Sequence, residues 1–250
     1  MTTTRNDIES HLNQLLQPER FRDYGPNGLQ IEGRAPVRKL VSGVTASLAL
    51  IEAGIAAQAD ALFVHHGLFW RGYDGRIVGW LRRRLGLLMA HEINLYAYHL
   101  PLDAHAELGN NAGFGRLLGL RADARFGEQD IGFIGSADPA FALDELARRV
   151  HQATARAPLV VAGDGRALRR IAWCTGGAQG FFEAAIAAGA DAYLTGEISE
   201  PQAHLARETG VAYLACGHHA SEREGVRAIG AHLAREFGLQ HEFIDIDNPG

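Results

Sequence analysis

Two stretches of this 250-residue chain repeat the same helix-to-strand sequence, and that repetition limits the fold more than any other feature. Residues 51–61 read IEAGIAAQADA and residues 182–192 read FEAAIAAGADA, identical at eight of eleven positions. Alanine-rich helices look alike by composition alone, but the shared Glu, Ile and Asp and the matching apolar strand on either side mark a duplication. Each copy reads as a β-α-β unit, which calls for a mostly parallel sheet covered by helices. The expected fold class is α/β, with two similar α/β/α halves at residues 1–125 and 126–250.

Ile8, Leu12, Leu15 and Leu16 recur at helical spacing and predict an amphipathic helix over 6–17. In the first half, strands are expected over 37–45, 61–64 and 95–98, with helices over 48–57 and 77–89. In the second, strands are expected over 131–134, 159–161, 169–175, 192–195, 211–216 and 243–246. Helices are expected there over 143–151, 181–188 and 201–208, and through Val226, Ile229 and Leu233. Asn27-Gly28 reads as an ordinary turn and Arg82-Arg83-Arg84 as a solvated helix face. Residues 122–165 hold few clustered ligands and read as structural.

Chemistry gathers where the strands end. The run Ala61-Leu62-Phe63-Val64 stops at His65-His66-Gly67, and ligand sites in open α/β sheets lie beyond the carboxyl ends of strands. Neighbouring residues of an extended chain point to opposite sides, so His65 and His66 do not easily serve one ion and suit two neighbouring ones. The next strand in each half runs into His99 with Asp103 and into His218 with Glu222, each carboxylate four residues after its imidazole. On a helix that spacing puts both groups on one face. The repeat also sets Gly196-Glu197 against His66-Gly67. Imidazoles mixed with carboxylates suit Zn, Mn, Fe, Co or Ni better than Ca or Mg, and paired ions of this kind drive metal-assisted hydrolysis. An acid/base scheme using His99 and Glu197 without metal leaves the histidine doublet unexplained.

Composition removes several classes of function. The hydrophobic fraction of 47% is ample for a core, and a formal charge of -5 makes no global case for nucleic acid or anionic membrane, leaving only a local basic patch open. No uninterrupted apolar segment approaches the roughly 18 residues of a membrane span, and the N-terminus lacks a signal-peptide core, so a cytoplasmic protein is expected. Cys174 and Cys216 sit in apolar runs that suit buried free thiols, and neither has the spacing of a structural zinc site.

Taken together, Asn27-Gly28-Leu29-Gln30, His65-His66-Gly67, the His99 to His105 segment, Gly196-Glu197 and the Gly217 to Glu222 segment resemble the NIF-three-like dinuclear metal-centre proteins, known as GTP cyclohydrolase 1 type 2. The similarity covers nearly the whole chain and is to the short bacterial form without an inserted domain. It implies a ring-shaped hexamer of subunits, each with two divalent metals in a cleft between intertwined halves. By the matching motifs, His65, His66, Asp103, His218 and Glu222 are the expected metal ligands, with Glu222 bridging. The resemblance makes His99 and Glu197 groups that orient ligands or move a proton, although spacing alone had weighted His99 as an equal ligand. His105 and His219 are left as structural. The implied activity is hydrolysis of a small nucleotide-like substrate; the alternative is a non-catalytic metal-handling or interaction protein acting as a ring.

Overall fold

The computed structural model describes residues 2–250. Its strands, in chain order, are β1 (Gly28–Ile31), β2 (Lys39–Thr45), β3 (Ala61–His66), β4 (Asn94–Ala97), β5 (Ala124–Phe126), β6 (Gly132–Phe141), β7 (Leu159–Val161), β8 (Leu168–Trp173), β9 (Ala192–Thr195), β10 (Ala212–Ala215) and β11 (Gln240–Phe243). The chain packs as two compact units, one made of residues up to Leu102 with Gly225–Asp247, the other of Asp103–Glu224 with Asn248–Gly250.

In the first unit β2, β3 and β4 lie parallel, joined through the helices Leu48–Ala56 and Gly79–Ala90. β1 pairs antiparallel with β4 and β11 parallel with β2, giving the order β1-β4-β3-β2-β11. Val41, Leu62, Val64 and Leu95 cluster with Leu50, Ile51, Leu81, Leu85 and Leu88 of those two helices. On the other face the hydroxyls of Tyr96 and Tyr98 donate to Arg5 O (2.8 Å) and Asn13 Oδ1 (2.7 Å) of the helix Arg5–Leu16. Burial on both faces is why these strands read as continuous apolar runs and not as alternating ones.

The second unit repeats the plan. β8, β9 and β10 are parallel, joined through Phe182–Ala187 and Glu200–Thr209, and antiparallel β5, β6 and β7 extend the sheet to β5-β6-β8-β9-β10-β7. Trp173, Leu194 and Leu214 pack with Phe114, Leu118, Leu146 and Val150. On the opposite face Tyr193 stacks against Phe182 and Tyr213 meets it edge to face.

The duplicated aspartate shows why the repeat persists through the chain. Asp60 Oδ2 accepts from the amides of Arg38 (2.8 Å) and Lys39 (3.0 Å), and Asp191 Oδ2 from those of Arg169 and Arg170 (both 2.9 Å). The backbone amide of each donates to the preceding strand, Asp60 to Lys39 O (2.9 Å) and Asp191 to Arg170 O (2.7 Å). Each carbonyl accepts from the following strand, from Asn94 N and Ala212 N (both 3.0 Å). One residue therefore ties three adjacent strands at their entry and sets their register.

Several expectations are corrected. The units do not divide at 125: the helix Asn110–Leu118 packs its Phe114 and Leu118 with Leu146 and Val150, while β11 returns to pair with β2. Asn27-Gly28 leads directly into β1, which pairs with β4. The last strand is Gln240–Phe243, not 243–246: the ladder to β2 ends with the Ile244 amide donating to Ser42 O (2.9 Å), and Ile244 and Ile246 then pack against the core. The helix expected from Ile77 starts at Gly79, leaving Ile77 and Val78 exposed. Leu40 pairs with Ala61 and Ile171 with Ala192, so Gly196-Glu197 corresponds to His65-His66, one residue from the expected match. No helix is long and apolar enough to cross a membrane among the described residues.

Replacing Asp191 by Ala removes an acceptor shared by two backbone amides and is expected to lower unfolding free energy by about 1.5–3 kcal/mol in urea titrations. Asp74→Ala, at an exposed carboxylate bonded to Arg76, is expected to change it by less than about 0.5 kcal/mol.

Candidate metal centre

In the first unit, β3 delivers His65 and His66, and the chain leaving β4 delivers His99. One ligand atom from each of the three lies within 4.8 Å of the others. The rings of His65 and His66, expected on opposite faces, have centroids 4.6 Å apart. Strand alternation sets the Cβ directions, but at a strand end the rings two bonds further out turn toward each other. Each ring is held through Nδ1. His65 faces Tyr98 O (3.0 Å), His66 faces Thr45 Oγ1 (3.1 Å) and His99 faces Asp23 Oδ1 (2.7 Å). Donation from Nδ1 leaves Nε2 as the nitrogen with the lone pair, the usual arrangement of an imidazole prepared for a metal.

The segment from Asp23 to Gln30 builds the support for His99. Asp23 Oδ2 accepts from Leu100 N and Asn27 Nδ2 (both 2.9 Å), and Asn27 Oδ1 accepts from His99 N (2.7 Å). Burial alone would raise the Asp23 carboxyl, but hydrogen bonds and charge from His99, with Asn27 and the Tyr24 amide, hold it below the usual carboxylate value. Gln30 accepts from Leu68 N and donates to Pro26 O (both 2.8 Å), clamping this segment to the turn after β3. A Cβ on Gly67 would meet the Gln30 amide at 2.4 Å, so any larger residue there would have to displace that clamp. A recess lined by Gly25, Gly67, Trp70, His65 and His99 opens beside the imidazoles.

In the second unit Asp103, His218 and Glu222 gather. Asp103 and Glu222 are 5% and 2% exposed, and each offers an oxygen within 4.8 Å of the other. Asp103 Oδ1 accepts from Asn110 Nδ2 (2.9 Å) and Thr175 Oγ1 (3.3 Å). His218 has Nε2 at 3.3 Å from Glu222 Oε1 and Nδ1 at 2.7 Å from Glu197 Oε1. Burial alone would lower the His218 pKa, but Glu222 and then Glu197 outweigh it and raise it to about 9. Gly176, at φ +72°, passes so close that a Cβ there would strike Glu222 Oε1. Two buried carboxylates this close stay ionised together only with positive charge beside them. Imidazole nitrogens and buried carboxylate oxygens are also the donor set of a borderline divalent ion, so the residues fit such a metal.

Of the residues the sequence singled out, His65, His66 and His99 meet in the first unit, and Asp103, His218, Glu222 and Glu197 in the second. His105 turns its Nδ1 to the amides of Glu107 (3.2 Å) and Leu108 (3.0 Å). Asp23, Asn110 and Thr175, which hold the candidate ligands, carry no spacing signal in the sequence. Asn27 and Gln30 belonged to a noticed motif, but nothing in their spacing gave them a role.

The molecule is thus an α/β protein with clustered imidazoles and buried carboxylates able to hold metal. The family model of Duf34/NIF3 (NGG1p interacting factor 3) matches residues 3–249, and the chain belongs to that family. It is 49% identical over 245 residues to a GTP cyclohydrolase 1 type 2 homolog of Neisseria meningitidis serogroup A, covering 98% of each chain. It is 48% identical over 252 residues to the same-named protein of Pseudomonas aeruginosa, covering 100% of each. Among solved structures it is similar to protein ybgI, titled as of unknown function, with TM-score 0.96, 43% identity and coverage of 99% of this chain and 100% of that one. A Thermus thermophilus protein, TTHA1606, gives TM-score 0.90 and 36% identity at the same coverages.

Gly176→Ala is expected to cost more than about 2 kcal/mol, through positive-φ strain and displacement of the buried Glu222 carboxylate. Gly180→Ala, where a Cβ meets nothing within 4 Å, is expected to be neutral in the same urea titration.

Proposed function

We propose that the protein binds two divalent ions per subunit, of Zn, Mn, Fe, Co or Ni, and hydrolyses a small nucleotide-like substrate. The observation that carries this reading is the pair of nearly fully buried carboxylates, Asp103 and Glu222, whose oxygens approach within 4.8 Å. The ligands in this reading are His65, His66, Asp103, His218 and Glu222, with Glu222 shared. When bound, paired ions of this kind supply Lewis acidity and an activated water near neutral pH. The chain's own groups do the rest. Thr175 and Asn110 hold Asp103 in place, Glu197 orients His218 through Nδ1, and Asp23 orients His99. His99 Nε2, beside the recess, takes or returns the proton of the reacting group. The names of the curated relatives support a nucleotide as the substrate class, and a ring-shaped hexamer is part of the same reading.

Elemental analysis of wild type is expected to give two metals per subunit and Glu222→Gln one or none, with turnover in a nucleotide and phosphoester screen lost together with the metal. Metal-free protein of equal activity would overturn the reading. Two metals with no turnover of any nucleotide would replace it by a metal-handling role.

A further inference from the structure

Two large aromatic side chains stand exposed beside His99. Trp70 and Tyr24 are 37% and 55% exposed, with ring centroids 5.1 Å and 6.0 Å from that imidazole. The buried aromatics with a polar atom use it within the protein: Trp173 Nε1 and the hydroxyls of Tyr96, Tyr98, Tyr193 and Tyr213 each donate to a protein oxygen. Among the described residues, the Trp70 indole N–H and the Tyr24 hydroxyl have no such partner. Rings with an apolar body and an open polar tip are enriched where proteins bind other molecules. The ring neighbours of Trp70, His66 at 52° and His99 at 89°, are not parallel to it, so no protein ring stacks on the indole.

Arg71 adds a charge at the same place. Its amide donates to Tyr24 O (2.6 Å), and its guanidinium donates to Asp23 O (2.9 Å) and lies 5.7 Å from the Tyr24 ring centroid. Among the described residues no carboxylate pairs with it, and a guanidinium in that state is a ready partner for phosphate.

We propose that Trp70 and Arg71 bind the two ends of a nucleotide, the base stacked on the indole and the phosphate against the guanidinium. The inference rests on the nucleotide reading above and names the residues that recognise that substrate; it assigns nothing to the metal ligands. The recess has room for about one water molecule, so a base cannot enter it and lies across its mouth. The space within suits the water that hydrolysis consumes. The platform is also tied to the reacting end of the site. Asp23, whose carbonyl accepts from Arg71, holds His99 through its carboxylate, and a Cβ on Gly25 would strike Phe69 O and come within 3.7 Å of the Trp70 ring. Tyr24 is then a positioning residue that supports Arg71 through its ring face.

The test titrates metal-containing full-length protein with GMP, guanosine and ribose 5-phosphate, by calorimetry and by tryptophan fluorescence in a Trp80→Phe background. That substitution removes the other exposed indole, and Trp173 is 1% exposed, so quenching reports on Trp70. GMP and guanosine are expected to quench it, and ribose 5-phosphate is not. Trp70→Ala is expected to weaken GMP and guanosine about 5- to 150-fold, while Trp70→Phe keeps most of the affinity. Arg71→Ala is expected to weaken GMP about 2- to 5-fold and leave guanosine unchanged, a split that a loss of structure does not produce. Tyr24→Leu is expected to follow Arg71→Ala in sparing guanosine. Wild-type affinity for both ligands in a folded Trp70→Ala variant would overturn the stacking site and leave the hydrolysis reading intact. So would a weakening matched by a fall in metal content and urea midpoint. Trp70-dependent binding with no turnover of any nucleotide would support this site and overturn hydrolysis. No binding of GMP or guanosine to wild type at millimolar concentration would overturn both this site and the nucleotide part of that reading.

Discussion

A single aspartate at the entry of the middle parallel strand organises each sheet. Asp60 and Asp191 satisfy two amides of the strand on one side with a side-chain oxygen, and their backbones join that strand to the one on the other side. Parallel strands have no hairpin turn to set their pairing, so register must come from somewhere else, and here it comes from that clamp. Once the entries are aligned, the carboxyl ends are aligned too, and the residues there are brought to a common level. His65, His66 and His99 in one unit and Glu197 and His218 in the other occupy those ends. A slip of one residue would turn each histidine and its apolar neighbours to the wrong face.

What the sheets deliver, a shell of polar groups then orients. Tyr98 O, Thr45 and Asp23 hold three imidazoles by the same nitrogen, while Asn110 and Thr175 hold Asp103. Glycines admit the backbone where this shell is tightest, at Gly67 against Gln30 and at Gly176 against Glu222. Burial strengthens every interaction in such a place and makes an isolated carboxylate costly, so each acid near the centre comes with donors or an imidazole. The arrangement is one that could hold a metal ion.

The elements that were legible beforehand were those whose signal is local. Apolar runs at 61–64, 192–195 and 211–216 became β3, β9 and β10, and the periodic leucines near the N-terminus became the helix Arg5–Leu16. The misses share one physical cause. β1 begins at a glycine in a turn-rich stretch and is a strand only because β4 lies beside it. Ile244 and Ile246 mimic a strand but answer to packing, and the helix Asn110–Leu118, with two glycines and two asparagines, has no strong pattern of its own. Among chemical groups, the histidine and carboxylate pairs stood out by spacing, whereas Asp23, 76 residues from His99 in the chain, gave no sign of being its partner.

By itself the sequence determined that the chain is a duplicated α/β protein and which residue types stand at its strand ends, because hydrophobic periodicity and repetition are properties of neighbours along the chain. The tertiary structure alone decided that the chain's last helix and strand return to the first unit, that two adjacent histidines turn their rings together, and that His99 joins them with Asp23 behind it. Those outcomes depend on which distant segments share a sheet and on where a side chain ends beyond its Cβ, and one-dimensional spacing carries neither.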